Sequence, residues 1–341
     1  MAVINVPAGG SINTAFIGAN PGDTIRVAAG VFQENVVIPP GLDRLRLLGA
    51  GKGQTILDGT GSPGDGIVVT SSFVTIAGFT IRDYSVNGIL VNSSDNIIRD
   101  LEVQNNGNIG IYTAADRNLV IKIESNENGS DGIHIDGSSN YVIESKFIEN
   151  EDFGIVLHGF NNLALRNRVL SNALSGIELE SGPHYVIDNV SKGNEDDGIS
   201  VLADGNLIIG NNANRNTNDG IDLTGFQNNL IFNNNIKNNN EDGIDAAGGD
   251  NNKVIANKVK KNAFTGIELD SDSDQNIVDQ NLVKKNVGPG ILLTSTANDN
   301  AVRENTLSGN TPDIQADDPA DENNTFDEND CQTSSPPGLC S

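Results

Sequence analysis

Residues 243–266, GIDAAGGDNNKVIANKVKKNAFTG, contain one full copy of a pattern that repeats along the chain. The segment opens with Gly243-Ile244 and continues with three asparagines five residues apart, Asn252, Asn257 and Asn262. The Gly-Ile pair recurs every 22 to 24 residues, at Gly66, Gly88, Gly110, Gly132, Gly154, Gly176, Gly198, Gly220, Gly243, Gly266 and Gly290. A fixed period of this length is typical of a repeat protein in which each unit packs only on its neighbours.

Each repeat begins with a short strand. Apolar residues occupy the first and third positions after the glycine, as in Ile133 and Ile135 or Ile177 and Leu179. This period of two predicts a strand with one buried face. Further along each unit, an apolar residue sits between successive asparagines, as Val254 does between Asn252 and Asn257.

The last asparagine of each unit forms an unbroken series: Asn106, Asn128, Asn150, Asn172, Asn194, Asn216, Asn239, Asn262, Asn286 and Asn310. The first asparagine forms a second series from Asn96 to Asn300, which only His184 interrupts. Stacked coils would place these side chains ~4.8 Å apart, the spacing at which amide ladders hydrogen-bond. We therefore interpret most of this amide content as structural.

These patterns predict an all-β fold, a single-stranded right-handed parallel β-helix of about 12 to 13 coils with 22 to 24 residues each. Leucine-rich repeats share the period, but they carry one Asn and several Leu per unit, whereas this chain has three Asn with Ile and Val. A left-handed β-helix built from hexapeptides does not fit a 22-residue coil.

The predicted organisation has three parts. Residues 1–22 form an N-terminal cap, in which Ser11 to Ala19 place Ile12, Ala15 and Phe16 on one face of a short amphipathic helix. Residues 23–310 form the β-helix. Residues 311–341 form an acidic C-terminal cap or tail that contains Cys331 and Cys340.

Composition limits the classes of partner. The formal net charge is −25, which excludes a general electrostatic attraction to nucleic acid or anionic lipid and leaves divalent cations as natural counterions. The sequence predicts no membrane span and no N-terminal signal peptide in the chain as given. Cys331 and Cys340 are either a terminal disulfide, which indicates a secreted or cell-surface protein, or two free thiols.

The opening coils carry a family resemblance. PGDTIRVAAGVFQENVVIP at residues 21–39 and LRLLGAGKGQTILDG at 45–59 resemble the first coils of bacterial right-handed β-helix proteins of the pectin-lyase-like group. The Asn and Gly-Ile repeats are similar to the carbohydrate-binding and sugar-hydrolase repeats of mannuronan C5-epimerases, polysaccharide lyases and NosD-type proteins. The epimerases' Asp-Pro-His run is matched only by Gly182-Pro183-His184, which lacks the Asp.

The second and fourth positions after each Gly point away from the buried face and stack into two columns on the first strand of every coil. Near the middle of the chain these columns bring together Tyr112, His134, Asp136 and His158. Tyr and His beside a carboxylate are predicted to form an acid–base set that removes a proton α to a uronate carboxylate. Arg117 is predicted to neutralise the substrate carboxylate. An ordinary solvated face is the alternative interpretation.

Further along, the same columns are acidic. Glu178, Glu180 and Asp222 are predicted to bind substrate, and a metal site is predicted at Asp222, Asp245, Glu268 and Asp270. Stacked carboxylates repel one another unless a cation intervenes, and Ca²⁺ is the usual hard cation for oxygen ligands.

Two functions follow as hypotheses. The first is a carbohydrate-active protein that acts on an acidic polysaccharide along the acidic face, as a Ca²⁺-dependent lyase or epimerase. The second is a non-catalytic carbohydrate-binding or adhesive solenoid, which the absence of long insertions between coils favours. The sequence leaves the glycan and the oligomeric state open.

Overall fold

The computed structural model describes residues 1–341, which divide into two compact units, Met1–Ala173 and Leu174–Ser341. Each unit is a stack of coils, and each regular coil contributes one short strand to each of three parallel sheets. Together the units contain about 15 turns, so the predicted parallel β-solenoid is confirmed. The predicted number of 12 to 13 coils was too small, because strands also form at both ends of the chain.

The first unit contains one helix, α1 (Ile12–Ile17), and 21 strands. The strands are β1 (Val3–Val6), β2 (Thr24–Val27), β3 (Gly30–Phe32), β4 (Val36–Ile38), β5 (Arg46–Leu48), β6 (Thr55–Asp58), β7 (Ile67–Val69), β8 (Thr75–Ala77), β9 (Thr80–Arg82), β10 (Ile89–Val91), β11 (Ile97–Arg99), β12 (Glu102–Gln104), β13 (Ile111–Thr113), β14 (Leu119–Ile121), β15 (Glu124–Asn126), β16 (Ile133–Ile135), β17 (Tyr141–Ile143), β18 (Lys146–Ile148), β19 (Ile155–Leu157), β20 (Leu163–Leu165) and β21 (Arg168–Leu170).

The second unit also contains 21 strands and one short helix, α2 (Ala320–Asn323). The strands are β22 (Ile177–Glu180), β23 (Tyr185–Ile187), β24 (Val190–Lys192), β25 (Ile199–Leu202), β26 (Leu207–Ile209), β27 (Asn212–Asn214), β28 (Ile221–Asp222), β29 (Leu230–Phe232), β30 (Asn235–Lys237), β31 (Ile244–Asp245), β32 (Lys253–Ile255), β33 (Lys258–Lys260), β34 (Ile267–Leu269), β35 (Ile277–Asp279), β36 (Leu282–Lys284), β37 (Ile291–Leu293), β38 (Ala301–Arg303), β39 (Thr306–Ser308), β40 (Ile314–Ala316), β41 (Thr325–Asp327) and β42 (Ser334–Ser335).

The three sheets are named by their order along a coil. Sheet 1 contains the strands that begin at the Ile of each Gly-Ile pair, including β10-β13-β16-β19 in the first unit and β25-β28-β31-β34 in the second. Sheet 2 holds the next strands, such as β14-β17-β20 and β29-β32-β35, and sheet 3 holds the last, such as β15-β18-β21 and β30-β33-β36. All of the described pairings between these strands are parallel and in register, for example Tyr112 with His134.

Apolar side chains fill the space between the sheets. Ile133 and Ile135 on β16, like Ile177 and Leu179 on β22, have no exposed surface. The glycine that precedes each sheet 1 strand is required by a close approach between coils. A Cβ atom added at Gly266 would lie 2.3 Å from the carbonyl oxygen of Gly290 and 2.5 Å from Cγ1 of Val283, too close for any side chain.

The asparagines form hydrogen-bonded ladders through the interior. In the typical arrangement the backbone N–H of one Asn donates to the side-chain oxygen of the equivalent Asn one coil later, as Asn96 does to Asn118 at 2.9 Å. His184 is fully buried within the first series, and its backbone N–H donates to Asn206 Oδ1 at 2.7 Å. Asp313 ends the last series by accepting from both the backbone and the side-chain amide of Asn310.

Strands form at both ends of the chain as well as in the regular coils. Helix α1 begins after its N-cap Ser11 and buries Ile12 and Phe16, but strand β1 precedes it and pairs with β2. After residue 310, β40 and β41 pair with β37 and β38 of the preceding coil. Cys331 and Cys340 form a disulfide with their Cα atoms 5.2 Å apart, which decides between the two alternatives left open by the sequence. None of the helices is long and apolar enough to cross a membrane.

Candidate functional site

The candidate site lies on the outer face of sheet 1 in the first unit, across β13, β16 and β19. In-register pairing places Tyr112 beside His134, with ring centroids 5.7 Å apart and an interplanar angle of 70°. Val156 follows His134 in the same column and is 1% exposed. This burial differs from the expectation that every second position faces solvent, and Glu178 and Ser200 in the second unit are buried in the same way.

Asp136 is the centre of the cluster. The Tyr112 hydroxyl donates to Asp136 Oδ2. Two imidazole nitrogens approach Asp136 Oδ1, His134 Nε2 at 3.1 Å and His158 Nδ1 at 3.1 Å. The structure therefore brings together the four residues that the sequence grouped on this face.

A second carboxylate, Asp131, completes the cluster. Its Oδ2 lies 2.9 Å from His134 Nδ1, and its Oδ1 accepts from the backbone N–H of Phe153 at 3.2 Å. Both ring nitrogens of His134 thus face carboxylates, an arrangement that an imidazolium satisfies by donating twice. Burial opposes protonation, but the hydrogen bond and charge of Asp131 outweigh it and raise the pKa of His134.

The hydroxyl and carboxyl at the centre have opposite pKa shifts. The hydrogen bond to Asp136, together with burial, raises the pKa of Tyr112 to about 12, so the phenol stays protonated. For Asp136, burial opposes ionisation, but hydrogen bonds from Tyr112 and His158 prevail and lower its pKa. The pair is therefore a neutral phenol that donates to a carboxylate.

His158 differs from His134 in its surroundings. Its side chain is 46% exposed, and its described hydrogen bond uses Nδ1 only. If Nδ1 carries the proton that Asp136 accepts, then Nε2 has a lone pair that can accept a proton. A carboxylate that orients an imidazole in this way is the usual arrangement for a general base.

Arg117 does not join the cluster. Its guanidinium pairs with Asp95 on the preceding coil, with Nε 2.8 Å from Oδ1 and Nη2 3.0 Å from Oδ2. Arg117 and Asp95 lie in the turns that lead into sheet 2, so the guanidinium charge is already compensated there. The role predicted for Arg117, neutralising the substrate carboxylate, would therefore compete with its pairing to Asp95.

The acidic residues of the second unit form two adjacent rows on and beside sheet 1. Glu178 is 8% exposed, whereas Glu180 and Asp222 are partly exposed. Asp222 stacks in register with Asp245, and the Thr224 hydroxyl bridges them at 2.7 Å and 3.3 Å. These residues line the outer face as predicted, apart from the burial of Glu178.

The sequence did not single out Asp197, Asp219 and Asp242, which directly precede the glycines of successive coils. Asp197 Oδ1 accepts from the Asp219 N–H at 2.9 Å, and Asp219 Oδ1 accepts from the Asp242 N–H at 2.6 Å. Burial and then neighbouring carboxylates raise the pKa of Asp197 to about 7 and that of Asp219 to about 9. In the sequence, this row could have been recognised from the Asp that immediately precedes the Gly-Ile pair in three successive repeats.

The predicted metal ligands are near this row. Burial raises the pKa of Asp245 to about 6 and that of Glu268 to about 7, with neighbouring carboxylates adding to both shifts. Asp270 Oδ1 accepts from the Thr294 hydroxyl at 3.0 Å. No group of three or more His, Cys, Asp or Glu side chains is arranged to hold a metal ion.

A surface depression of about 370 Å³ lies away from this chemistry, on sheet 2 of the second unit. Leu230, Lys253 and Ile277 line it together with turn asparagines, and Lys253 is its one titratable group. The reactive side chains are on the open face of sheet 1, so the candidate site is a surface that an extended polymer can reach and not an enclosed pocket.

Comparison with known proteins supports the architecture. A family model described as right handed beta helix region matches residues 65–214 and 184–331. A search of the curated proteins found no match.

Solved structures of low identity share the fold. A PL6 family polysaccharide lyase from Pseudopedobacter saltans is 13% identical, with a TM-score of 0.60, over 97% of this chain and 92% of that chain. The A-module of mannuronan C-5 epimerase AlgE6 from Azotobacter vinelandii is 16% identical, with a TM-score of 0.52, over 94% and 89%. The Dettilon tailspike protein is 16% identical, with a TM-score of 0.65, over 92% and 66%.

Proposed function

The chain belongs to the right-handed β-helix family, and we propose that it binds an acidic polysaccharide on sheet 1 and cleaves it by β-elimination. The fold alone does not define a reaction, because one fold hosts many activities. The proposal therefore depends on the site.

The observation that carries the proposal is the position of one acid and one base on either side of one carboxylate. Asp136 accepts from Tyr112 through Oδ2 and from His158 through Oδ1. The phenol keeps its proton, and a His158 tautomer with its proton on Nδ1 leaves Nε2 as the basic nitrogen. A single sugar residue placed over Asp136 would be within reach of both groups.

The reaction follows from these protonation states. His158 Nε2 removes the proton α to the uronate carboxylate, at C5, and Asp136 stabilises the imidazolium that forms. The electron pair left at C5 forms the C4–C5 double bond as the C4–O bond breaks, and the Tyr112 hydroxyl protonates the departing oxygen. The phenolate and the imidazolium that remain return to their starting states by proton exchange with water. Protonated His134 lies between Asp131 and Asp136 and compensates the negative charge of these two carboxylates.

Elimination suits this geometry better than epimerisation. Tyr112 and His158 reach the substrate from the same sheet face, and elimination permits acid and base to act on one side of the sugar. Inversion at C5 requires proton donation from the side opposite to the base. Structures similar to this one include both a lyase and an epimerase, so the assay must distinguish the two products.

Calcium dependence is part of the proposal. An acidic glycan is repelled by a chain of net charge −25, and Ca²⁺ held by Asp222, Asp245, Glu268 or Asp270 would reduce that repulsion. We assign no step of the reaction to the metal. Turnover that is unchanged in excess chelator would remove calcium from the proposal.

We also propose that the protein functions outside the cytosol, on or beyond the cell surface. The Cys331–Cys340 disulfide supports this location, since such bonds persist in oxidising compartments. An acidic polysaccharide substrate would be met in the same place.

The direct test measures turnover on polymannuronate, polyguluronate and polygalacturonate. Elimination creates an ultraviolet-absorbing double bond, whereas epimerisation changes the NMR spectrum of the polymer without it. His158→Ala is expected to lower kcat by ~10²- to 10⁴-fold, the usual contribution of a general base. Tyr112→Phe is expected to lose turnover as well. Tyr141→Phe, which removes a half-exposed hydroxyl on sheet 2, serves as the matched control.

Full activity in His158→Ala, in a parent that converts one of these polymers, would refute the assignment of the base. Both His158 and Tyr112 are at least partly exposed, so neither change is expected to unfold the protein. Melting curves of the two variants check this point.

A non-catalytic carbohydrate-binding solenoid is the second candidate. The observation that favours it is the regularity of the coils, because the strands of sheet 1 from β7 to β37 are 2 to 4 residues long and no long insertion builds a wall beside them. Binding of a polymer on a glycan array, combined with no product from any polymer tested, would favour this function over the lyase.

A further inference from the structure

Sheet 3 of the second unit carries a concentration of positive charge in an acidic protein. The segments 210–217, 233–240, 256–263 and 280–287 each cover a sheet 3 strand with its flanking turns, and none contains Asp or Glu. They contain Arg215 and six lysines, Lys237, Lys258, Lys260, Lys261, Lys284 and Lys285, which we call the lysine stripe. The whole chain has 46 acidic and 21 basic residues, so the charge of these four segments is opposite to that of the chain as a whole.

The strand register stacks these charges. Lys237 on β30 pairs with Lys260 on β33, which pairs with Lys284 on β36. Lys261 and Lys285 occupy the next position on two of these coils, with the Lys261 N–H donating to the Lys284 carbonyl oxygen at 3.1 Å. Neighbouring strands lie ~4.8 Å apart, so the stripe is a line of cations along the stack of strands.

No carboxylate neutralises the stripe. Lys146 on sheet 3 of the first unit pairs with Glu124 at 3.1 Å, and Arg303 on sheet 2 of the second unit pairs with Asp279 at 3.3 Å. None of the six stripe lysines forms such an ion pair. Stacked like charges repel one another, and an anionic ligand that lies along the line would relieve this repulsion.

We infer that the lysine stripe is a second polysaccharide-binding surface, which holds a linear acidic glycan through its carboxylates or sulfates. This surface is separate from the acid–base cluster, which lies on sheet 1. A chain of charged pyranose rings carries about one anion per ring, a spacing close to that between the strands. An extended glycan can therefore place successive anions on successive coils.

The chemistry of the stripe favours a glycan over nucleic acid. The outward positions of β30, β33 and β36 hold lysines, Asn235 and Leu282, and offer no aromatic ring on which a base could stack. The rest of the chain is strongly acidic and repels a polymer of high charge density. A uronate polymer, with one charge per ring, carries its charge more sparsely than a nucleic acid duplex.

The test compares two triple variants of the full chain by calorimetric titration in EDTA. Lys237, Lys260 and Lys284 are changed to Gln in one, and Lys52, Lys122 and Lys253, which lie outside the stripe, in the other. Each variant loses three positive charges, so the effect on net charge is matched. The probes are an oligogalacturonate, a heparin oligosaccharide, a neutral malto-oligosaccharide and a single-stranded DNA oligomer.

The parent is expected to bind at least one of the acidic glycans, more weakly at higher salt and without calcium. The stripe variant is expected to raise Kd by about 10-fold, and the control by less than about 2-fold, from the usual size of exposed charge contacts. Equal losses in the two variants, no binding of either acidic glycan, or equal binding of the neutral oligosaccharide would overturn the proposal. Tighter binding of DNA than of both glycans would overturn the partner class.

The result is independent of the lyase proposal. His158→Ala is expected to retain the parent's Kd for the acidic oligosaccharide in EDTA even where it loses turnover. An unchanged Kd in the stripe variant would therefore refute only the proposal that the lysine stripe binds glycan. Unchanged turnover in His158→Ala would refute only the assignment of His158 as the base.

Discussion

Replacing Asn257 by Ala tests the ladder as the source of stability in the second unit. The Asn257 side chain makes four hydrogen bonds across three coils. Its Oδ1 accepts from the Asn234 backbone N–H at 2.9 Å and from Asn234 Nδ2 at 3.0 Å. Its Nδ2 donates to the Ile231 carbonyl oxygen at 2.8 Å and to Asn281 Oδ1 at 3.1 Å.

The magnitude follows from which groups lose their partner. Asn234 Nδ2 still donates to the Ile208 carbonyl oxygen, and Asn281 Oδ1 still accepts from the Asn257 backbone. The Asn234 N–H and the Ile231 carbonyl lose the side-chain partner given above, and both residues are at most 1% exposed. The Ile231 carbonyl keeps its place in the parallel ladder with β32, so only the Asn234 N–H is left unpaired. One unpaired buried group costs ~1–3 kcal/mol, so we expect the free energy of unfolding to fall by ~1–3 kcal/mol.

The assay is urea unfolding followed by circular dichroism, combined with hydrogen exchange of the Asn234 amide, because repeat arrays can unfold in segments. The control is Asn240→Ala, since Asn240 is exposed and its described hydrogen bond comes from the backbone. The control is expected to change stability by less than ~0.5 kcal/mol. If Asn257→Ala unfolds at the same urea concentration as Asn240→Ala, the ladder does not stabilise the fold as we argue.

Three further predictions concern the fold and the buried carboxylates. The pKa of Asp219 is raised from 3.8 to about 9 by burial, so its contribution to stability is present at low pH and is lost as pH rises toward 9. Asp219→Asn, which can still accept from Asp242, should therefore raise Tm at pH 8 and flatten the dependence of Tm on pH, and an unchanged profile would contradict this. Gly266→Ala should lower stability by ~1–3 kcal/mol through overpacking, whereas Gly18→Ala, with open space at Cβ, should not, as thermal melts can show. The Cys331–Cys340 disulfide closes a loop with a sequence separation of 9, and its reduction should lower the stability of the C-terminal coil by ~2–3 kcal/mol. The loss should be measurable as faster amide hydrogen exchange in β41, while turnover stays unchanged.

The fold was predictable because every coil repeats the same local requirements. Each coil needs a glycine because a carbonyl oxygen of the next coil approaches it closely. Each coil also needs an asparagine that hydrogen-bonds to the equivalent asparagine one coil away. The same residue types therefore recur once per coil in the sequence. The ends were predicted less well. The coils that contain β1 and β41 have no Gly-Ile pair, and these strands form because an exposed sheet edge accepts another parallel strand.

The solenoid, the inward positions and the grouping of Tyr112, His134 and His158 were predictable from the sequence alone, since equal repeat lengths place equivalent residues side by side. The tertiary structure decided the contacts beyond the repeat. It showed that Asp131 holds the second nitrogen of His134 and that Arg117 is paired with Asp95. These outcomes depend on turn geometry and on hydrogen bonds between coils, because a turn can carry two neighbours in sequence to different faces of the molecule.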